Sequence, residues 1–145
     1  AIRDEGTSNA FLPPQVPALS SFVLQRLVCG ELERQSHRYW TGVIHTTNVR
    51  FWEFNRDFRK QLLAERVQAV DMECATLFTV GFARFVPVGA LMLISDLPLK
   101  KAGIKTAASA LAVFEKYTAL HLDLGVSVMK RAQELDRNGR LSYSF

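Results

Sequence analysis

At 145 residues and 48% hydrophobic content, the chain has the length and apolar mass of one ordinary domain with a single core. A charged fraction of 22% excludes a disordered chain, and a net charge of +4 suits an anionic ligand without the Lys/Arg-rich, aromatic-interleaved runs of a nucleic-acid binder. No apolar run approaches the roughly 18 residues that cross a bilayer, and Cys29 and Cys74, outside any metal-ligand spacing, read as small buried thiols of a reducing, cytoplasmic compartment.

The opening Ala1-Ile2-Arg3 lacks Met, so the true amino terminus is expected to lie elsewhere. Residues 1–16, with Gly6-Thr7-Ser8-Asn9 and Pro13-Pro14, read as a loop after a strand that ends near Arg3. That loop offers donors to an anion or a sugar, although an ordinary polar turn is the favoured reading. Pro17 suits a helix start, and Leu19, Phe22, Val23 and Leu27 follow at helical spacing to about Gln35. Thr41 to Thr47 is β-branched and strand-like, and His45 within it has no ligand-spaced partner, which favours a structural role.

Phe51 and Trp52 follow, ahead of a charged helix over about Glu53 to Glu65. Such aromatics are usually core, yet two just past a strand end also suit stacking on a flat base. Val67 to Asp71 reads as a strand delivering Met72 and Glu73 to its carboxyl end, where open α/β folds place ligands. Equally, Glu73 is a favourable acid in the first turn of the helix over Cys74 to Arg84. Pro87 to Ile94 is a continuous apolar run of strand length, expected to be buried on both faces, and it ends in Ser95-Asp96-Leu97-Pro98. Lys100 to Lys105 reads as a mobile basic loop, Thr106 to Leu135 as a long amphipathic helix, and Asp136 to Arg140 as a polar tail. The alternation of strands and helices predicts an α/β fold with a parallel or mixed sheet.

Met72-Glu73 at one strand end, Ser95-Asp96 at the next, 23 residues from Glu73 to Asp96, and Phe51 22 residues before Glu73 together resemble the purine nucleoside phosphorylase/nucleosidase family. The resemblance implies a three-layer nucleoside phosphorylase-like fold with a mixed central sheet, here lacking its amino-terminal strands, so that residues 1–145 form the carboxyl-terminal part of one catalytic domain. Within the family, Arg3 to Ser8 with Pro13-Pro14, Thr46 to Glu53, Asp71 to Phe78 and Ser95 to Pro98 are most similar to the branch that hydrolyses AMP to adenine and ribose 5-phosphate.

The roles implied by that resemblance are these. Asp96 acts as the acid toward the purine, beside Ser95. Glu73 clamps the ribose hydroxyls and Met72 supports the sugar, while Phe51, with Trp52, stacks on the base. Either Thr47, Asn48 and Arg50, or Arg3, Thr7 and Ser8, hold the 5′-phosphate. Asp71 is either a supporting partner of the site or solvent-exposed. The implied partners are AMP and further copies of the chain in a trimer or hexamer, with no metal or redox cofactor, no nucleic acid and no membrane. Phosphorolysis of a nucleoside, or non-catalytic nucleotide binding, are the competing expectations.

Overall fold

The computed structural model of the chain describes residues 1–100, 103–104 and 106–139. Lys101, Ala102 and Lys105 of the expected basic loop, and Arg140 of the polar tail, lie outside the described residues.

Three strands, β1 (Ile2–Asp4), β2 (Ile44–Thr47) and β3 (Ala69–Asp71), form a parallel sheet in the order β1-β2-β3. Ile2 lies opposite His45 and Asp4 opposite Thr47, while Ile44 pairs with Ala69 and Thr46 with Asp71. Parallel neighbours need a crossover between them, and α1 (Phe22–Arg34) and α2 (Arg56–Ala64) supply the two. Helix α3 (Cys74–Ala83) follows β3 almost at once, and α4 (Ala107–Arg137) comes last. This is the expected α/β architecture. Of the expected mixed sheet, the described residues carry a parallel portion.

Caps decide where the helices begin. Helix α1 starts at Phe22 rather than at Pro17, because Ser21 is its N-cap and its hydroxyl accepts from the Leu24 N–H. The helix expected from Glu53 is divided: Trp52–Phe54 forms a short 3₁₀ turn, and α2 begins only after Asn55, whose side chain accepts from the Asp57 and Phe58 N–H groups. Helix α4 opens on a capping box in which Thr106 and Ser109 bond reciprocally.

The core has two centres. Leu27, Val28 and Leu32 of α1 meet Leu124, Val128 and Ala132 of α4. Ala18 and the Cys74, Ala75 and Phe78 face of α3 form the other, beside Ile44 of β2. The expected strand over 87–94 is absent from the sheet, which corrects the sequence reading. Its side chains nevertheless alternate: Val88, Ala90 and Met92 pack on the α3 cluster, whereas Leu91 packs on the α1–α4 cluster. A period of two is that of extended chain, so the apolar run reports burial between two layers while its backbone has no ladder partner among the described residues.

His45 is structural, as expected. It is fully buried, with Nδ1 2.6 Å from Glu65 Oε2, Nε2 3.2 Å from Asp4 Oδ2, and its ring edge-on to Phe58. It ties β1, β2 and the residue after α2 together.

Candidate functional site

The carboxyl ends of β2 and β3 stand side by side, since Thr46 pairs with Asp71. Beyond them the chain turns out at Asn48 and at Met72-Glu73, all exposed. Glu73 is the N-cap of α3, yet its side chain makes no capping hydrogen bond. The capping is done by others. Asp71 Oδ2 accepts from the Cys74 N–H at 2.6 Å and the Glu73 N–H at 3.3 Å, while Thr46 Oγ1 accepts from the Ala75 N–H at 3.0 Å. The Thr46 hydroxyl in turn donates to Asp71 Oδ1 at 2.7 Å. Among the described residues, Glu73 Oε2 accepts only from the neighbouring Met72 N–H, at 3.2 Å. Its carboxylate therefore remains open to solvent at a helix start whose first two amides, those of Cys74 and Ala75, are already satisfied. Asp71, for which exposure and a supporting role were both open, is half-buried and supports this turn.

The loop after β1 is built on Arg3. Its Nε donates to Ser8 Oγ (2.9 Å), Nη1 to the Pro13 and Val16 carbonyls (2.7 and 2.6 Å), and Nη2 to Asn9 Oδ1 and the Leu12 carbonyl (3.0 and 2.9 Å). An arginine has five N–H donors, and here each has an internal acceptor. Glu5, buried, joins this loop to α3: Oε1 accepts from the Ser8 N–H at 2.9 Å and the Thr76 hydroxyl at 2.8 Å, and Oε2 has no hydrogen-bond partner among the described residues. Burial pushes the Glu5 carboxyl up, but the bonds from Ser8 and Thr76 outweigh it and hold it below its ordinary value.

Two of the side chains proposed for the 5′-phosphate are thus committed elsewhere. Arg3 has no spare donor, and Ser8 is fully buried on Arg3 and Glu5. Thr47 is committed too, fully buried, accepting from the Val49 N–H at 3.1 Å and facing Asp4 Oδ2 at 3.4 Å. Asn48, Arg50 and Thr7 are exposed.

Phe51 and Trp52 part company. Phe51 is 69% exposed and sits in the left-handed region at φ 65°, a strained conformation for an aromatic, with the Arg50 guanidinium 5.9 Å from its ring centre. Trp52 is half-buried against Phe58, ring centres 5.9 Å apart. Only Phe51 offers an open face.

Ser95 and Asp96 lie in a separate open cleft of about 520 Å³ with Ile94, Leu97, Gly103, Ile104 and the start of α4. The Ser95 hydroxyl donates to Asp96 Oδ1 at 2.8 Å. Phe51, Met72 and Glu73 do not line that cleft. The structure therefore groups Asn48, Met72 and Glu73 at one sheet end and leaves the Ser95-Asp96 pair in a cleft of its own. Sequence reasoning missed Glu5, Thr46 and Thr76, whose partners lie 25 or more residues away or across a turn and leave no local pattern. Among the described residues, no group of three or more His, Cys, Asp or Glu side chains is placed to hold a metal ion, and no helix is long and apolar enough to cross a membrane.

The profile of the phosphorylase superfamily matches residues 1–127. The chain belongs to that superfamily. It is 34% identical over 134 residues to an AMP nucleosidase of Escherichia coli (strain K12), an alignment covering 86% of this chain and 28% of that protein, and equally so to the AMP nucleosidase of Escherichia coli O157:H7. The crystal structure of AMP nucleosidase from Bacteroides thetaiotaomicron VPI-5482 superposes with a TM-score of 0.74 at 38% identity, covering 94% of this chain and 51% of that one. The chain thus spans little more than a quarter of the length of the Escherichia coli relatives, and about half of the solved superfamily member.

Proposed function

We propose that this chain is the carboxyl-terminal part of the catalytic domain of an AMP nucleosidase, which hydrolyses the N-glycosidic bond of AMP. The observation that carries the reading is Glu73: a carboxylate at the carboxyl edge of a parallel sheet, released from capping and open to a ligand. The likeness to AMP nucleosidases over most of the chain supports the choice of substrate.

In this reading Glu73 accepts hydrogen bonds from the ribose hydroxyls, Met72 lies against the sugar, and Phe51 stacks on adenine. Asp96, aligned by Ser95, donates a proton to the purine N7 as the C1′–N9 bond breaks and its electron pair leaves with the base. Water adds its oxygen to C1′ and loses a proton, giving ribose 5-phosphate and adenine. For the 5′-phosphate the exposed Asn48 and Arg50 are the better candidates, because Arg3, Ser8 and Thr47 are engaged elsewhere. Trp52 packs on Phe58 rather than touching the base. The working form is a cytoplasmic trimer or hexamer.

The deciding experiment incubates the full-length protein with AMP or inosine, with and without phosphate. Release of adenine and ribose 5-phosphate from AMP in phosphate-free buffer is expected. Phosphate-dependent turnover of inosine would instead establish phosphorolysis, and binding of AMP without adenine release would establish a non-catalytic module.

A further inference from the structure

We propose that Thr46 is a positioning residue of the ribose site, acting through Asp71 to keep the Glu73 carboxylate off its own helix. The proposal rests on the reading of Glu73 as the ribose clamp.

An acidic N-cap ordinarily turns its carboxylate onto the N–H groups of the second and third helical residues. For α3 those are Ala75 and Thr76. Glu73 occupies the N-cap position with φ −129° and ψ −34°, and its side chain does not cap. The Ala75 N–H that it would otherwise take is held by Thr46 Oγ1 at 3.0 Å, and the Cys74 N–H beside it by Asp71 Oδ2 at 2.6 Å. Thr46 and Ala75 are both fully buried, so this bond is shielded from water and has no solvent substitute.

The Thr46 hydroxyl has one proton, and it goes to Asp71 Oδ1 at 2.7 Å. That bond aims the second Asp71 oxygen at the helix start. It also settles which way the hydroxyl's lone pairs face, leaving one for Ala75. The strand register makes the arrangement possible, because Thr46 and Asp71 are paired residues of adjacent strands. One hydroxyl thus does two things: it orients Asp71, and it occupies the first of the two amides to which Glu73 would fold back, that of Ala75.

Removing the hydroxyl should draw Glu73 into the vacated cap. The ribose would lose its acceptor while the base-binding groups Phe51 and Asp96, on other segments, stay as they are. The effect separates sugar from base, which a general loss of stability does not do.

The test uses the full-length protein, with KM for AMP and the inhibition constant of free adenine measured side by side. Thr46→Val keeps the β-branched shape and removes the hydroxyl. It is expected to raise KM for AMP about tenfold, the scale of one buried hydrogen bond, with the adenine constant unchanged. Thr46→Ser restores the hydroxyl and should return KM to near its original value. Should Thr46→Val not fold, Thr46→Ala carries the same test, since it too removes the oxygen that accepts from the Ala75 N–H.

Glu73→Gln is the control. If it leaves KM for AMP unmoved, the ribose-clamp reading fails and takes this proposal with it. If Glu73→Gln shifts KM and Thr46→Val does not, or if Thr46→Val weakens AMP and adenine alike, the clamp stands and the positioning role of Thr46 is overturned.

Discussion

Glu73 and Asp96 both follow apolar, strand-like runs, yet the structure treats the two runs differently. Glu73 stands on a paired strand, and the turn that presents it is fastened by Asp71 and Thr46 from two elements. Asp96 stands on a run with no place in the sheet, and its carboxylate accepts from the adjacent Ser95 hydroxyl. One site carries its support within this chain. The other is shaped by side-chain packing, Val88, Ala90 and Met92 on one layer and Leu91 on the other, and by single main-chain bonds, the Ser21 N–H to the Val88 carbonyl (2.7 Å) and the Leu97 N–H to the Gly103 carbonyl (2.9 Å). A carboxylate's chemistry needs both a position and something that holds it there, and of the two only Glu73 follows a strand paired among the described residues.

Substitution of Asp96 should matter most. In the full-length protein, Asp96→Asn should lower turnover of AMP by roughly 10²–10⁴, the range for loss of a general acid, as read by adenine release. Near-normal turnover would remove Asp96 from the role and leave Glu73 as the one chemical anchor.

Next comes the packing that holds the unpaired run. A Cβ on Gly81 would lie 2.4 Å from Val88 Cγ2 and 2.7 Å from the Val86 carbonyl oxygen. Gly81→Ala therefore has to push the 86–88 segment away from α3, at a cost of about 1–3 kcal/mol in thermal or denaturant unfolding. It should disturb the Asp96 side more than the Glu73 turn. A smaller effect, about 0.5–2 kcal/mol, is expected from Asp71→Ala, which removes the cap of α3. Hydrogen exchange should place the resulting opening in the first turn of that helix.

The smallest expected effect lies away from both carboxylates and sets the baseline for acid loss. Hydrogen bonds from Arg34, then from Gln35, lower the Glu31 carboxyl from 4.5 to about 2. The stability it contributes is complete above the unfolded value and is lost as pH falls from about 4.5 toward 2. Melting curves across that window should flatten in Glu31→Gln and stay steep in the unsubstituted protein.

The helices and sheet strands were largely legible, because hydrophobic period and caps are local. The unreadable part was non-local. An apolar run such as Pro87 to Ile94 announces burial on two faces, which is what it has, but says nothing about a neighbour to pair with. Ser21 outranked Pro17 as the start of α1 because a hydroxyl that bonds the helix outweighs a residue that merely tolerates one. Of the proposed site residues, Glu73, Met72 and Asp96 stood out through their spacing. Thr46 was not, since its partners Asp71 and Ala75 are brought to it only by strand pairing. Trp52 and Phe51 look alike in sequence, and packing on Phe58 separates them.

Arg3 carries an evolutionary consequence. Three of its five acceptors are main-chain carbonyls, those of Leu12, Pro13 and Val16. A carbonyl is present whatever the side chain, so positions 12, 13 and 16 are free to drift among related sequences so long as the backbone path is kept. Position 3 has no such freedom: lysine, with three donors on a single nitrogen, cannot span acceptors spread over so wide a fork. The loop's shape is thus written at a single position outside it, and variation within the loop is the expected signature of its constancy.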